Sequence, residues 1–203
     1  MPSAAPILEF FFDYGSPFSY LADTQLPALA ARTGARVAYR PMLLGGVFKA
    51  TGNRSPFAEP VEAKRRSMGV DMARWVAHYG VPFRTHPRFP LNTLLLMRHA
   101  HAALRAGCFD AFHRAIFPAF WAEARDLDDA AGIAEVVERA GLDARALAAG
   151  AETPEVKSAL RATTDEAVAR GVFGAPSFFV AGELFFGNDR LGLVERALAG
   201  ARG

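Results

Sequence analysis

The sequence predicts an α/β protein in which a strand-helix-strand unit and a strand-strand-helix unit are separated by a long all-helical block. Three observations carry this. An apolar aromatic run, ILEFFF, passes through Asp13-Tyr14-Gly15 straight into a helix that opens on Ser16-Pro17. More than half of the chain, from about Asn53 to Asp165, is a succession of amphipathic helix patterns punctuated by Gly and Pro. Strand patterns then return after Gly171.

Taken in order, ILEFFF (7 to 12) is short and apolar but for Glu9, the kind of run a buried strand makes. SPFSYLADTQLPALAARTG (16 to 34) has apolar residues at 18, 21, 26 and 29 and stops at Gly34, so it reads as one helix. VAYRPMLLGGVF (37 to 48) begins with strand alternation and runs into Gly-Gly, read as a turn. The helical block follows: PVEAKRRSMGVDMARWVAHYG ending at Gly80, NTLLLMRHAHAALRAG from Asn92 to Gly107, FDAFHRAIFPAFWAEA, DDAAGIAEVVERAG and TPEVKSALRATTDEAVARG. PSFFVAG (176 to 182) and ELFFG (183 to 187) then form a hairpin around Ala181-Gly182, and NDRLGLVERALAG closes with a helix. This divides the chain into a first part at 1–52, an insertion at 53–165 and a second part at 166–203.

At 203 residues, 51% hydrophobic and 22% charged, the chain can bury one substantial core. A net charge of +2, with both signs interspersed, advertises neither nucleic acid nor an anionic membrane. Glu9 and Asp13 interrupt the apolar N-terminal stretch, and no run approaches the ~20 residues that span a bilayer, so the reading is a soluble, cytoplasmic protein. Cys108 is the single cysteine, which excludes an intrachain disulfide and any CxxC redox or zinc motif. It follows Gly107 at a helix boundary and reads as a buried or half-buried small residue. His99 and His101 lie two apart on a helix and point to different faces, so no metal is expected.

The order β-α-β, helical block, β-β-α is that of a thioredoxin-like fold with an all-helical insertion, the DsbA-like arrangement. Local motifs narrow this. FDYGSPFSYLA, GVFKATGNRSP around Asn53, Lys64 shortly after it, DMARWVAHYGVPF, RFPLNT, GVFGAPSFFV and FFGNDRL occur in this order from about residue 7 to 191. Together they resemble the 2-hydroxychromene-2-carboxylate isomerases and their relatives, the kappa-class glutathione transferases.

The motifs also suggest a site. Thioredoxin-fold redox enzymes carry their thiol where the first helix begins, because free backbone N–H groups favour an anion there. Here Ser16 holds that place, with Ser19 where a second cysteine would stand. The resemblance implies that Ser16 is catalytic and hydrogen-bonds the thiolate of glutathione, an exogenous sulfur. Ser-Pro also reads as an ordinary N-cap followed by proline at the first helical position, worth ~1 kcal/mol. Ala175-Pro176, with a cis bond, would present a backbone edge to the cysteinyl part of glutathione. The bare alternative is a proline ending a Gly-rich turn. By the same resemblance Asp189 faces the γ-glutamyl ammonium, Asn188 or the helix N-terminus its carboxylate, Lys64 the glycyl carboxylate, and Asn53 bonds nearby. Asn188-Asp189 also reads as a helix cap, Asn53 as a turn residue and Lys64 as part of a solvated KRR face. Asn92 is the insertion residue that could reach the acceptor pocket, or it caps a helix. Phe10, Phe11, Phe12, Phe112, Phe117, Phe120 and Trp121 read mostly as core.

The implied reaction is a glutathione-dependent isomerisation. Thiolate adds reversibly to an aromatic, α,β-unsaturated keto acid and interconverts 2-hydroxychromene-2-carboxylate and trans-o-hydroxybenzylidenepyruvate. Two other readings share the scaffold: a kappa-like transferase conjugating small electrophiles, and a non-catalytic peptide-binding module. The resemblance further implies a homodimer, and the charge balance gives no sign of a nucleic-acid partner.

Overall fold

A computed structural model describes residues 5–200 of the chain. Its sheet has four strands in the order β2-β1-β3-β4, with β1 (Ile7–Phe12) parallel to β2 (Arg36–Pro41) and antiparallel to β3 (Ser177–Val180). The edge strand β4 (Glu183–Phe186) is antiparallel to β3, and Ala181 and Gly182 turn between them at φ 48° and 86°. These left-handed conformations match the right-handed twist of a tight hairpin.

The apolar character of β1, broken by Glu9 with its ion pair to Arg170, has the expected cause: both faces are covered. Leu8, Phe10 and Phe12 join the main core, whereas Phe11 points into a second cluster with Met42, Val47, Ala167, Val172 and Phe179. The main core is shared with the helices. It continues through Leu21 of α1 (Pro17–Asp23), Leu29 of α2 (Leu26–Thr33), Met97 of α5 (Leu94–Ala106), Phe117 and Trp121 of α6 (Phe109–Trp121), and Val194 of α10 (Leu191–Gly200). The opposite face is covered by α3 (Leu44–Thr51) and α9 (Pro154–Ala169), and the Thr164 hydroxyl accepts from the Leu43 N–H at 3.0 Å to tie them together. Helix α4 (Glu62–Tyr79) packs against α1, and α7 (Ala130–Arg139) and α8 (Ala144–Ala151) complete the helical layer.

Three expectations are corrected. The helix read across 16–34 is two helices, because Pro27, in the first turn of α2, has no N–H for the carbonyl of Asp23 and its ring would crowd a continuous helix. Gly45-Gly46 is not a turn but the first turn of α3. A Cβ on Gly46 would stand 3.1 Å from Thr164 Cγ2, so the glycine lets α9 approach. Thr93 holds the N-cap position of α5 without a side-chain cap bond, while Asn92 one residue earlier accepts from the Leu94 N–H, and a 3-10 turn at Asn188–Arg190 precedes α10. Helix α8, with Asp143 as its N-cap, has no counterpart in the sequence reading. Pattern length explains the omission, since eight residues rich in Ala give a weak periodic signal.

Among the described residues no helix is long and apolar enough to cross a membrane, and no group of three or more His, Cys, Asp or Glu could hold a metal ion.

Candidate active site

At the end of β1 the chain turns through Asp13-Tyr14-Gly15, with the Ser16 N–H donating to Asp13 O at 3.0 Å. The Asp13 side chain is buried, and its two oxygens accept from the N–H groups of Gly15 and Leu44, each at 2.8 Å. Burial pushes its carboxyl up from the ordinary value, opposed by those two donors and by Thr93. Gly15 is required for space: a Cβ there would lie 2.9 Å from Thr93 Cγ2. One carboxylate therefore fixes the turn before Ser16 to the start of α3.

Ser16 caps α1 from an extended conformation. Its Oγ accepts from the Ser19 N–H at 3.1 Å and donates to the Ala175 carbonyl, also at 3.1 Å. The Ala175–Pro176 peptide is cis, as the sequence suggested, and the Pro176 carbonyl accepts from the Gly187 N–H at 3.0 Å. Gly174 makes room for the aromatic wall, because a Cβ there would meet the Phe186 ring at 2.7 Å.

These groups border one cleft of about 660 Å³. Ser16, Asn53, Ala175, Pro176, Asn188 and Asp189 all line it. Asn53 Nδ2 donates to the Phe173 carbonyl at 2.8 Å and so fastens the segment after α3 to the loop before Pro176. Asn188 is 4% exposed, and its Nδ2 donor is buried without a protein partner. Its backbone carbonyl accepts from the Tyr79 hydroxyl at 3.2 Å, which holds α4 against this end of the cleft. Asp189 is paired with Arg190.

Two candidates lie elsewhere. Lys64 is not in the lining; it is largely exposed on α4 with Nζ 3.9 Å from Glu59 Oε2. Asn92 is also outside, and its Oδ1 accepts from the Leu94 N–H at 3.0 Å, a local bond at the start of α5. Cys108, the residue before α6, does not line the cleft either, so the chain itself brings no sulfur to Ser16.

Seven further lining residues are aromatic, and the sequence reading did not single them out. Phe18, Phe48, Phe57, Trp75, Phe89, Phe173 and Phe186 form the walls, with Phe57 against Phe89 at 4.8 Å and Phe173 against Phe186 at 4.4 Å. The aromatic residues singled out from sequence, Phe10 to Phe12 and Phe112 to Trp121, are core. Chemically the cleft offers the Ser16 hydroxyl at the start of α1, a backbone edge, an unpartnered amide, a few charged side chains and flat apolar walls. That set suits a flat, conjugated, partly polar molecule beside an anion.

The comparisons with known proteins agree with this architecture. The family model described as DSBA-like thioredoxin domain matches residues 7–199. The 2-hydroxychromene-2-carboxylate isomerase of Sphingobium xenophagum is 38% identical over 197 residues, covering 94% of this chain and 97% of that protein. Glutathione S-transferase kappa 2 of Caenorhabditis elegans is 27% identical over 208 residues, covering 95% and 92%. A solved structure of 2-hydroxychromene-2-carboxylate isomerase superposes with a TM-score of 0.81 at 30% identity, covering 96% of this chain and 95% of that one. With its serine at the thiol position, its cis-proline edge and these relatives, the chain belongs to the 2-hydroxychromene-2-carboxylate isomerase family of DSBA-like thioredoxin-domain proteins.

Proposed function

We propose that this protein is a glutathione-dependent isomerase acting on 2-hydroxychromene-2-carboxylate or a related aromatic, unsaturated keto acid. The observation that carries the reading is the buried Asn188 Nδ2 without a partner, in the same cleft as Ser16 and the cis Ala175–Pro176 edge. A buried, unsatisfied donor costs ~1–3 kcal/mol, and a ligand acceptor removes that penalty. Glutathione fits: it brings a carboxylate for Asn188, an ammonium for Asp189 and a peptide backbone for the edge at Ala175.

Bound there, glutathione would supply a thiolate able to add to, and leave, a conjugated double bond. The chain's own residues set the conditions. Ser16 hydroxyl turns its proton from Ala175 O to the anionic sulfur and holds it ionised, as a hydrogen bond to the charged form lowers a pKa. Ser19 N–H keeps Ser16 Oγ aimed. The aromatic walls orient a planar electrophile and exclude water. The isomerase reading stands ahead of the transferase one because identity to the isomerase is 38% against 27% for the kappa enzyme.

The test is calorimetric titration with glutathione and an ultraviolet difference spectrum in the thiolate band at about pH 6.5, where a free thiol of pKa ~8.5 is almost wholly protonated. Binding with a thiolate signal that Ser16→Ala abolishes, together with thiol-dependent isomerisation of 2-hydroxychromene-2-carboxylate, is the expected result. Absence of binding at millimolar glutathione overturns the reading.

A further inference from the structure

The charges around the cleft are unbalanced. Asp13, Glu59, Asp71 and Asp189 line it, and Arg54 is the one basic residue among the lining residues. Three of the acids already have partners: Asp13 holds backbone N–H groups, Glu59 accepts from the Val61 N–H and stands near Lys64, and Asp189 pairs with Arg190. Arg54 has no carboxylate within ion-pair distance among the described residues, and it is the unpaired arginine that lines the cleft. Its backbone is nevertheless well fixed. The Arg54 N–H donates to Asn53 Oδ1 at 2.9 Å, and the same Asn53 side chain is bonded to Phe173 O across the cleft.

An anionic ligand entering a cleft lined by four acids is repelled unless its charge meets a cation. We propose that the Arg54 guanidinium anchors a ligand carboxylate in this cleft, the task that the family motifs suggested for Lys64. Guanidinium geometry suits this, since two parallel N–H donors match the two oxygens of a carboxylate. Arg54 is then a binding and specificity-determining residue: it selects carboxylate-bearing ligands and takes no part in bond making. The proposal rests on the cleft being the active site named above. The carboxylate has two available sources, the glycyl end of the thiol and the keto acid itself.

Paired ligands separate them. Wild type, Arg54→Ala and Arg54→Lys are titrated with glutathione against its glycyl monoethyl ester, and with benzylidenepyruvate against benzylideneacetone, which lacks the carboxylate. Wild type is expected to favour the carboxylate member of one pair by about ten- to a hundredfold, the range for hydrogen bonds to charged groups. Arg54→Ala erases that preference, Arg54→Lys retains part of it, and KM rises for the carboxylate ligand with kcat within about twofold. Loss in the first pair identifies the thiol as the source, and loss in the second identifies the keto acid. Preferences unchanged in Arg54→Ala overturn the proposal, as does a wild type with no preference in either pair. Failure of wild type to bind glutathione at all counts against the isomerase reading alone, because the keto-acid pair still reports on Arg54.

Discussion

The two oxygens of Asp13 accept from Gly15 and Leu44, so the carboxylate works as a bracket between the turn before Ser16 and the start of α3. An amide there presents an NH2 group to one of those N–H donors. Asp13→Asn is therefore expected to lower stability by about 1–3 kcal/mol, the cost of stranding a buried donor, read as a lower urea midpoint with an unchanged m-value. A midpoint equal to wild type would show that the bracket is not needed. Residues of this kind were legible from sequence only where they sit at element junctions. Ser16, Pro176 and Asn188 stand at such junctions, where short motifs fix the backbone, and the fold brings all three into one cleft. Lys64 and Asn92 depended on which way a helix or its leading loop faces, and helical phase is set by tertiary packing. Arg54 left no local signal, since a lone cation in a turn looks like any solvated residue.

At the scale of elements, α5 shows how a helix full of alanine and leucine is fixed in rotation. His101 Nε2–H donates to the Pro41 carbonyl at the end of β2 at 2.9 Å, and His99 Nδ1–H donates to the Leu95 carbonyl at 2.9 Å. Burial holds both imidazoles below their ordinary value of 6.5, against the smaller opposing effect of those bonds. The unfolded chain therefore takes up protons in a range where the folded chain does not. Stability from this source is fully present above about pH 6.5 and is lost as pH falls from there toward the folded values. The expected urea midpoint is flat from about pH 8 to 7 and declines below, and His101→Gln, whose amide can still donate to Pro41, flattens the decline. An identical slope in the variant would assign the acid sensitivity elsewhere. Helix existence was readable here from its apolar spacing and from Gly107, while the partition of 16–34 into α1 and α2 was not, because the apolar period runs unbroken across Pro27.

For the whole molecule, the order of the strands and of most helices could be read from patterns bounded largely by Gly or Pro, whereas α3, α8 and the division between α1 and α2 could not. The sheet pairing and the manner in which the helical layer meets the sheet could not, since both are long-range. The joint is built on Tyr14. Trp121 Nε1–H, from the last turn of α6, donates to the Tyr14 carbonyl at 2.7 Å. The Tyr14 hydroxyl donates to His113 Nδ1 at 2.9 Å, and His113 Nε2–H donates to Asp23 Oδ1 at 2.9 Å. A second latch joins the Tyr20 hydroxyl to the Pro82 carbonyl at 2.8 Å. Trp121 also stacks on Phe83, with ring centroids 5.5 Å apart and planes 11° from parallel. Trp121→Phe keeps much of the stack and removes the donor, leaving a buried carbonyl two residues before Ser16 unsatisfied. At about 1–3 kcal/mol, and 2–4 °C per kcal/mol for a chain of this size, the melting temperature is expected to fall by about 2–12 °C. Because the same carbonyl anchors the turn that carries Ser16, glutathione affinity is expected to weaken several-fold in a variant that is still folded at the assay temperature. A fall in melting temperature without change in affinity would separate the joint from the site; an unchanged melting temperature would mean that the helical layer is held by apolar packing alone.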